Sequence, residues 1–228
     1  MVAGVLAHDL PCILVDDGST PDCAQVIDGL AGEHPTRVTV VRHAVNQGKG
    51  GAVLSGLARA HALGYTHALQ IDADGQHDPA QIPAFIATAR ANPDAMITGQ
   101  PVFDASVPKS RLYSRQLTHV LVWIHTLSFE IRDSMCGFRV YPIPPVLAIG
   151  RSVRLGRRMD FDIEVLVRLF WAGVRVVSVP TPVRYPLDGV SHFRLVWDNV
   201  LITRMHAMLF LGMLARFPRL AARSRSAA

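Results

Sequence analysis

Cysteine is scarce in this 228-residue sequence, which contains only Cys12, Cys23 and Cys136. The number is odd and no spacing is that of a zinc site, which excludes a disulfide framework and a structural zinc centre. We expect reduced, mostly buried thiols, as is usual in cytosolic proteins. Residues 1–10 also lack the basic start of a signal peptide, so the sequence predicts a cytoplasmic protein.

Charged residues and long apolar runs are also few. Charged residues make up 18% of the chain and hydrophobic residues 50%, a balance that excludes disorder. No run reaches the roughly 18 to 20 apolar residues that span a bilayer. The longest candidate, residues 205–215, contains a histidine and a glycine. The length suits one substantial domain.

The net charge of +5 is unevenly distributed, because arginines cluster in residues 151–158 and 204–225. Such clusters favour a partner that carries phosphate, or an anionic membrane surface. Nucleic acid is disfavoured, because no zinc-finger spacing, stacking-sheet motif or basic recognition helix is present. We interpret residues 151–158 as a flexible basic loop, since four arginines and a glycine cannot pack a core.

Short apolar runs alternate with helical segments through the first hundred residues. This pattern predicts an α/β fold with a mainly parallel sheet. Residues 1–195 are predicted to form that domain. Residues 196–228 are predicted to form an amphipathic helix with a basic tail, lying either at a membrane interface or on the protein's own core.

Carboxylates follow two of the predicted strands. Asp16 and Asp17 precede a glycine after the run at 12–15, and ligands of open α/β sheets bind at such strand ends. Asp72 and Asp74 follow the run at 68–71 and, being two apart, leave the same face of extended backbone. Mg²⁺ and Mn²⁺ prefer such oxygen ligands together with substrate phosphates. A plain pair of turn or cap aspartates is the alternative.

A glycine-rich segment, NQGKGG at 46–51, opens a predicted helix and includes Lys49. Free N–H groups at a helix N-terminus suit anion binding. The spacing is not that of the G-x-x-x-x-G-K-[ST] P-loop, so an ATPase of that class is excluded.

Five segments together resemble family-2 glycosyltransferases of the GT-A fold, in the dolichol-phosphate-mannose-synthase-like branch. They are VDDGST at 15–20, NQGKGGA at 46–52, QIDADGQHDP at 70–79, DSMCGFR at 133–139 and FDIEVLVR at 161–168. They occur in the family's order and cover most of the chain.

The resemblance implies an inverting, metal-dependent transfer of a sugar from a nucleotide-sugar donor to a lipid-linked or other membrane-proximal acceptor. It implies that Asp72, Asp74 and Gln76 hold the Mg²⁺ or Mn²⁺ ion. The donor contacts that it implies are Asp16, Asp17, Lys49, Asp72, His192 and Arg194. It implies that Asp133 is the catalytic acidic residue on the acceptor side. The acceptor contacts that it implies are Arg139, Arg151, Arg154, Arg157 and Arg158.

The family usually begins with a strand that ends in a Pro-x-Tyr-Asn-like motif, and no such motif lies near Met1. The resemblance therefore implies an N-terminally truncated domain that lacks one wall of the nucleoside pocket. A truncated nucleotide-binding or scaffold module is one alternative function. A phosphohydrolase is another, because IDADG is similar to a D-x-D-G-T signature whose first aspartate is a nucleophile.

Overall fold

A computed structural model describes residues 1–103, 109–183 and 194–226. The strands are β1 (Cys12–Asp16), β2 (Val38–Arg42), β3 (His67–Gln70), β4 (Ala95–Val102), β5 (Arg139–Pro142) and β6 (Arg175–Pro182). The helices are α1 (Val2–Leu6), α2 (Pro21–Glu33), α3 (Lys49–Ala62), α4 (Ile82–Ala91), α5 (Lys109–Thr126), α6 (Ile143–Ser152), α7 (Phe161–Trp171) and α8 (Leu195–Ser226), with a short 3₁₀ turn at Pro79–Gln81.

The strands form a parallel pair, β1–β2, and a four-stranded sheet in the order β3-β5-β4-β6. The pair β4–β6 is parallel, whereas β5 is antiparallel to both β3 and β4. The predicted α/β fold is confirmed, with β5 as the strand that runs against the mainly parallel arrangement. The sequence did not reveal its direction, because β5 is only four residues long and follows a long helix rather than a tight hairpin turn.

Helices cover both faces of the four-stranded sheet, and β4 shows this most clearly. Met96 packs into a core with α3, α5, α6, α7 and α8, whereas Ala95 and Ile97 pack with α1 and α4 on the other side. Successive side chains of a strand point to opposite faces. The unbroken apolar run at the start of β4 is therefore what a strand covered on both faces requires.

The segment between α6 and α7 is an ordered part of the domain, so the interpretation of a flexible loop was wrong. Leu155 is buried in the main core. The N–H of Gly156 donates to Glu164 Oε2 at 2.7 Å, and the N–H of Arg158 donates to Asp160 Oδ1 at 3.0 Å. One apolar residue and two buried acids hold the backbone, while Arg154 and Arg157 remain exposed.

The long helix α8 has a packed side and an exposed side. Met205, Leu209, Met213 and Leu220 are buried in the main core, whereas Leu211 and Leu214 are exposed. By length and composition alone, Val196–Arg223 could cross a membrane, with a mean hydropathy of 1.4. This criterion tolerates charged residues, so it is met although no uninterrupted apolar run of spanning length is present, and core helices of soluble proteins also satisfy it.

Candidate active site

The turn after β3 carries Asp72 and Asp74. Asp72 Oδ1 accepts a hydrogen bond from Gln70 Nε2 at 2.9 Å, and its Oδ2 lies 2.7 Å from Lys49 Nζ. Asp74 is exposed, and its Oδ1 accepts the backbone N–H of Gln76 at 3.0 Å. Asp72 is thus fixed from two sides, whereas Asp74 faces solvent.

Lys49, the first residue of α3, is shared between two carboxylates. Its Nζ lies 2.7 Å from Asp72 Oδ2 and 2.7 Å from Asp162 Oδ2. Burial alone would lower the pKa of Lys49, but the charges of Asp162 and Asp72 outweigh burial and raise this pKa. Lys49 is therefore a fixed ammonium. Gly137 makes room for this pair, because a Cβ there would overlap Asp72 Oδ2 and lie 2.8 Å from Lys49 Nζ.

The donor set at this turn fits a hard divalent cation that shares its coordination with a phosphate. Among the residues that the structure describes, no group of three or more His, Cys, Asp or Glu side chains is arranged to hold a metal. Asp72, Asp74 and Gln76 instead offer two carboxylates and one amide oxygen. Mg²⁺ and Mn²⁺ are commonly held by one or two carboxylates, with substrate phosphates completing the set.

Asp16 and Asp17 are engaged within the chain. Asp16 is buried at the end of β1, where it accepts hydrogen bonds from Ser19 N at 2.9 Å and Arg42 Nε at 2.8 Å. The Ser19 hydrogen bonds, followed by that of Arg42, lower the pKa of Asp16. These contacts give Asp16 a supporting role in this structure, while direct contact with a nucleoside stays a prediction.

Asp17 binds the glycine-rich turn. Its carboxylate accepts the N–H groups of Gln47 and Gly48, both at 2.8 Å, and lies 2.7 Å from His43 Nδ1. Two N–H groups of the glycine-rich turn, those of Gln47 and Gly48, therefore already bind an anion of the chain itself, while anion binding by the first turn of α3 stays a prediction. Asp17 thus stabilises the start of α3, and with it the position of Lys49.

The glycines of this turn allow close packing against the segment before α7. Gly48 has a φ of 83°, and a Cβ there would overlap the carbonyl oxygen of Arg157. A Cβ at Gly50 would lie 2.5 Å from the Cβ of Phe161. The Arg157 carbonyl oxygen accepts the N–H of Gly51 at 3.3 Å, and Nη1 of the Arg157 side chain donates to Gln47 Oε1 at 2.6 Å. The basic segment and the Lys49 turn therefore form one unit.

Asp133 lies buried beside α5. Arg115 binds it through Nε and Nη2, at 2.6 and 2.7 Å, and His119 Nε2 lies 3.3 Å from its Oδ2. Asp133 Oδ1 also accepts the N–H of Cys136 at 2.8 Å. Burial alone would raise the pKa of Asp133, but the His119 hydrogen bond and the Arg115 charge outweigh it and lower the pKa to about 2. A carboxylate this acidic is a poor proton acceptor.

The predicted acceptor arginines fall into three groups. Arg139 is completely buried and donates to carbonyl oxygens of Cys136, Ser134 and Asp162, so an acceptor cannot reach it and the prediction of acceptor contact needs correction. Arg158 binds the buried Asp198 of α8 at 2.7 Å.

Arg151, Arg154 and Arg157 are exposed, which is compatible with the predicted phosphate contacts. Arg194 is also exposed, and its backbone N–H donates to Asp198 Oδ2 at 2.7 Å. His192 lies outside the described residues.

Sequence reasoning missed Asp162, Arg115 and Asp198. Asp162 is in the first turn of α7, where an acid is common for reasons of helix stability alone. Arg115 is one of many arginines, and only its distance to Asp133 distinguishes it. Asp198 is the single acid in the sequence of α8, which is a signal that the sequence did offer.

The fold and this site define an α/β protein with acids at the ends of β1 and β3 and a fixed lysine at the start of α3. The sequence profile of glycosyl transferase family 2 matches residues 2–152. The chain belongs to this family and is a glycosyltransferase of its dolichol-phosphate-mannose-synthase-like branch.

Relatives in this branch are similar over most of the chain. Polyprenol monophosphomannose synthase from Mycolicibacterium smegmatis is 29% identical over 205 residues, which is 84% of this chain and 74% of the relative. Undecaprenyl-phosphate mannosyltransferase from Micrococcus luteus is 26% identical over 175 residues, and the match covers 74% of this chain and 69% of the relative.

A solved structure shows the same fold. Glucosyl-3-phosphoglycerate synthase from Mycobacterium tuberculosis, crystallised with Mg²⁺ and uridine diphosphate, superposes with a TM-score of 0.59 at 18% identity, covering 88% of this chain and 67% of that one. The same enzyme has been crystallised with Mn²⁺, uridine diphosphate and its product. At this identity the likeness establishes the GT-A fold.

Proposed function

We propose that the protein transfers a sugar from a nucleotide-sugar donor to a polyprenyl-phosphate type of lipid acceptor, with a divalent cation and with inversion at the anomeric carbon. The observation that carries this proposal is the meeting of four sequence motifs at Lys49. Lys49 belongs to the NQGKGGA segment, and its ammonium contacts Asp72 and Asp162. Gly137 of DSMCGFR packs against Asp72 and Lys49.

The leaving group of such a transfer is a nucleoside diphosphate, whose charge grows as the glycosidic bond breaks. Asp72, Asp74 and Gln76 would hold the cation, which supplies electrostatic stabilisation of that charge when bound. Lys49 adds a positive charge that is already in place and needs no rearrangement. Uridine diphosphate and the metals in the M. tuberculosis enzyme support this reading of the fold.

A phosphate acceptor suits the state of Asp133. An alcohol must lose a proton to a general base, whereas a lipid phosphate is already ionised near neutral pH. Because Asp133 is ion-paired with Arg115 and has a pKa of about 2, we assign it to holding Arg115 rather than to proton transfer. The names of the M. smegmatis and M. luteus relatives support the same choice of acceptor.

Two neighbouring helices provide a surface for a membrane that presents such an acceptor. In α5, Tyr113, Leu117, Val120 and Ile124 recur at helical spacing and are exposed. In α8, Trp197, Val200, Leu211 and Leu214 are exposed. These two helices contain one acid, Asp198, and it is buried. Apolar stripes without exposed acids suit peripheral binding to anionic lipid, on the cytoplasmic face of the membrane.

The sequence left two alternative functions, a phosphohydrolase and a non-catalytic nucleotide-binding module. The phosphohydrolase is excluded, because the chain belongs to glycosyl transferase family 2. A non-catalytic nucleotide-binding module is the outcome against which a transfer assay tests this glycosyltransferase, since family membership does not measure the turnover of one chain. An assay for transfer separates it from the proposed enzyme.

The test is a transfer assay with a panel of radiolabelled nucleotide sugars and undecaprenyl phosphate in detergent micelles. Undecaprenol, the matching alcohol, is the control acceptor. We expect at least one donor to give a labelled lipid with the phosphate, in a reaction that requires Mn²⁺ or Mg²⁺ and stops with EDTA. Binding of a nucleoside diphosphate without transfer from any donor would favour the non-catalytic module.

A further inference from the structure

The ammonium of Lys49 owes its position to two acids that lie far apart in the sequence. Asp72 follows β3, and Asp162 is the second residue of α7. Both Oδ2 atoms lie 2.7 Å from Lys49 Nζ. A flexible lysine side chain has several rotatable bonds, so two opposed carboxylates are an effective way to restrict it.

Asp162 is built as a rigid anion. It is 5% exposed and sits at the N-terminus of α7, where the helix dipole stabilises negative charge. Arg139 Nη1 lies 3.4 Å from Asp162 Oδ1 and donates to the Asp162 carbonyl oxygen at 2.7 Å. Among the described residues Asp162 Oδ1 has no hydrogen-bond partner, so its contact with Arg139 is one of charge, while Oδ2 faces Lys49.

The same network returns to Asp72 through buried side chains. Arg139 Nη1 lies 3.4 Å from the hydroxyl of Tyr141, which donates to Gln70 Oε1 at 3.0 Å. Gln70 Nε2 then donates to Asp72 Oδ1 at 2.9 Å. Together with Lys49 these contacts close a ring around the turn after β3. Both acids that contact Lys49, Asp72 and Asp162, are thereby held by buried side chains.

We infer that Asp162 is a positioning residue of the donor site, which holds the Lys49 ammonium at the edge of Asp72 where the diphosphate of a nucleotide sugar binds. The inference rests on the proposed function for the identity of the ligand. When Asp72 binds a metal that carries a diphosphate, the ion pair with Asp162 would keep the Lys49 ammonium within reach of the phosphate oxygens. Arg139 compensates the charge of Asp162 from behind.

The sign of one mutational effect distinguishes this role from a simple charge effect. Asp162 is an anion near an anionic ligand, so through-space repulsion alone predicts that Asp162→Asn binds a diphosphate more tightly. Positioning through Lys49 predicts the opposite, because the ammonium is no longer held at the site. We expect the affinity for uridine or guanosine diphosphate with Mn²⁺ to fall about tenfold. The donor KM should rise by more than kcat falls.

A double-mutant cycle tests whether Asp162 acts through Lys49. Lys49→Met should itself weaken diphosphate binding, and adding Asp162→Asn to it should cause no further loss. Calorimetric titration with each diphosphate measures all four proteins. Tighter binding by Asp162→Asn, or an equal loss with and without Lys49, would overturn the inference.

A second readout requires no nucleotide and so does not depend on the proposed function. The sequence contains two lysines, Lys49 and Lys109, so acetylation of Lys49 is easily followed by mass spectrometry. Asp162→Asn should accelerate the acetylation of Lys49 several-fold. Asp162→Glu keeps the charge but displaces it, so its rate should lie between those of the wild type and Asp162→Asn. It provides the test if the asparagine variant does not fold.

The control for this readout is Asp94→Asn, which changes an exposed acid directly before β4 rather than one that holds the segment packed against the Lys49 turn. It should leave the labelling rate of Lys49 unchanged. An unchanged rate in Asp162→Asn, or in Asp162→Glu if the asparagine variant does not fold, would contradict the inference.

Discussion

Arg115 grips the buried carboxylate of Asp133 through two nitrogens, at 2.6 and 2.7 Å. This pair predicts how Asp133→Asn behaves. With a polyprenyl-phosphate acceptor, kcat should fall by far less than the roughly 10²-fold that loss of a general base causes. The acceptor KM should rise, because Arg115 loses its anchor. Steady-state kinetics with undecaprenyl phosphate measures both constants.

A loss of 10²-fold or more in kcat, with the acceptor KM unchanged, would instead make Asp133 the base. The control is Asp28→Asn, which removes an exposed partner of Arg42 from the other end of the chain. It should leave both constants at the wild-type value.

Asp133 should also contribute to stability in a defined pH range. Its pKa is lowered from 3.8 to about 2, so it stabilises the folded state above the unfolded pKa and loses this contribution as pH falls toward 2. The shift corresponds to about 2 kcal/mol near neutral pH.

Urea unfolding of wild type and Asp133→Asn measures this contribution. The difference in the free energy of unfolding should shrink as the pH is lowered below about 4. A difference that stays constant over this range would show that the ionisation of Asp133 does not contribute.

Gly48 should be among the least replaceable glycines of the chain. Gly48→Ala adds a Cβ at φ 83° and ψ 167°, a region open essentially to glycine alone, and against the Arg157 carbonyl, so it should cost more than the roughly 1–3 kcal/mol of backbone strain alone. Gly64→Ala is the control for a positive φ without crowding, since Gly64 has a φ of 88° and no described atom within 4 Å of the added Cβ. Chemical denaturation compares the two, and equal losses would show that packing against Arg157 contributes nothing.

The fold and the position of Asp72 and Asp74 after a strand were predictable because they depend on local patterns. The alternation of apolar runs with helical periodicity indicated the α/β layers, and Asp72 and Asp74 directly follow β3. The sequence did not show that the N–H groups of Gln47 and Gly48 bind Asp17, because this carboxylate comes from another strand end.

The features of the site that the sequence did not predict depend on contacts between residues that are distant in the sequence. Neither the pairing of Lys49 with Asp162 nor the burial of Arg139 has a local signature. Arg139 looked like its exposed counterparts Arg151 and Arg154 in the sequence, and only the carbonyl oxygens gathered around it show the difference.

Membrane binding should depend on the exposed side of α8. Leu211 is 65% exposed and Leu214 50% exposed, so replacing both by serine should remove apolar contact without changing net charge or the core side. We expect the affinity for phosphatidylglycerol vesicles to fall about tenfold or more, given the free energy of burying two leucines. Vesicle sedimentation measures it.

The control is Leu63→Ser, which changes an exposed leucine at the end of α3. It should sediment like the wild type. If the Leu211→Ser/Leu214→Ser variant also does so, α8 is not the membrane contact.

We propose that the turn after β3 holds the cation that binds the donor diphosphate. The most direct measurement is sugar transfer by Asp72→Asn and Asp74→Asn across a titration of Mn²⁺, with circular dichroism to confirm the fold. We predict that both variants fold and lose on the order of 10²-fold or more in kcat at every metal concentration, because the leaving-group charge is no longer stabilised. Near-normal turnover by either variant with Mn²⁺ present would contradict the account.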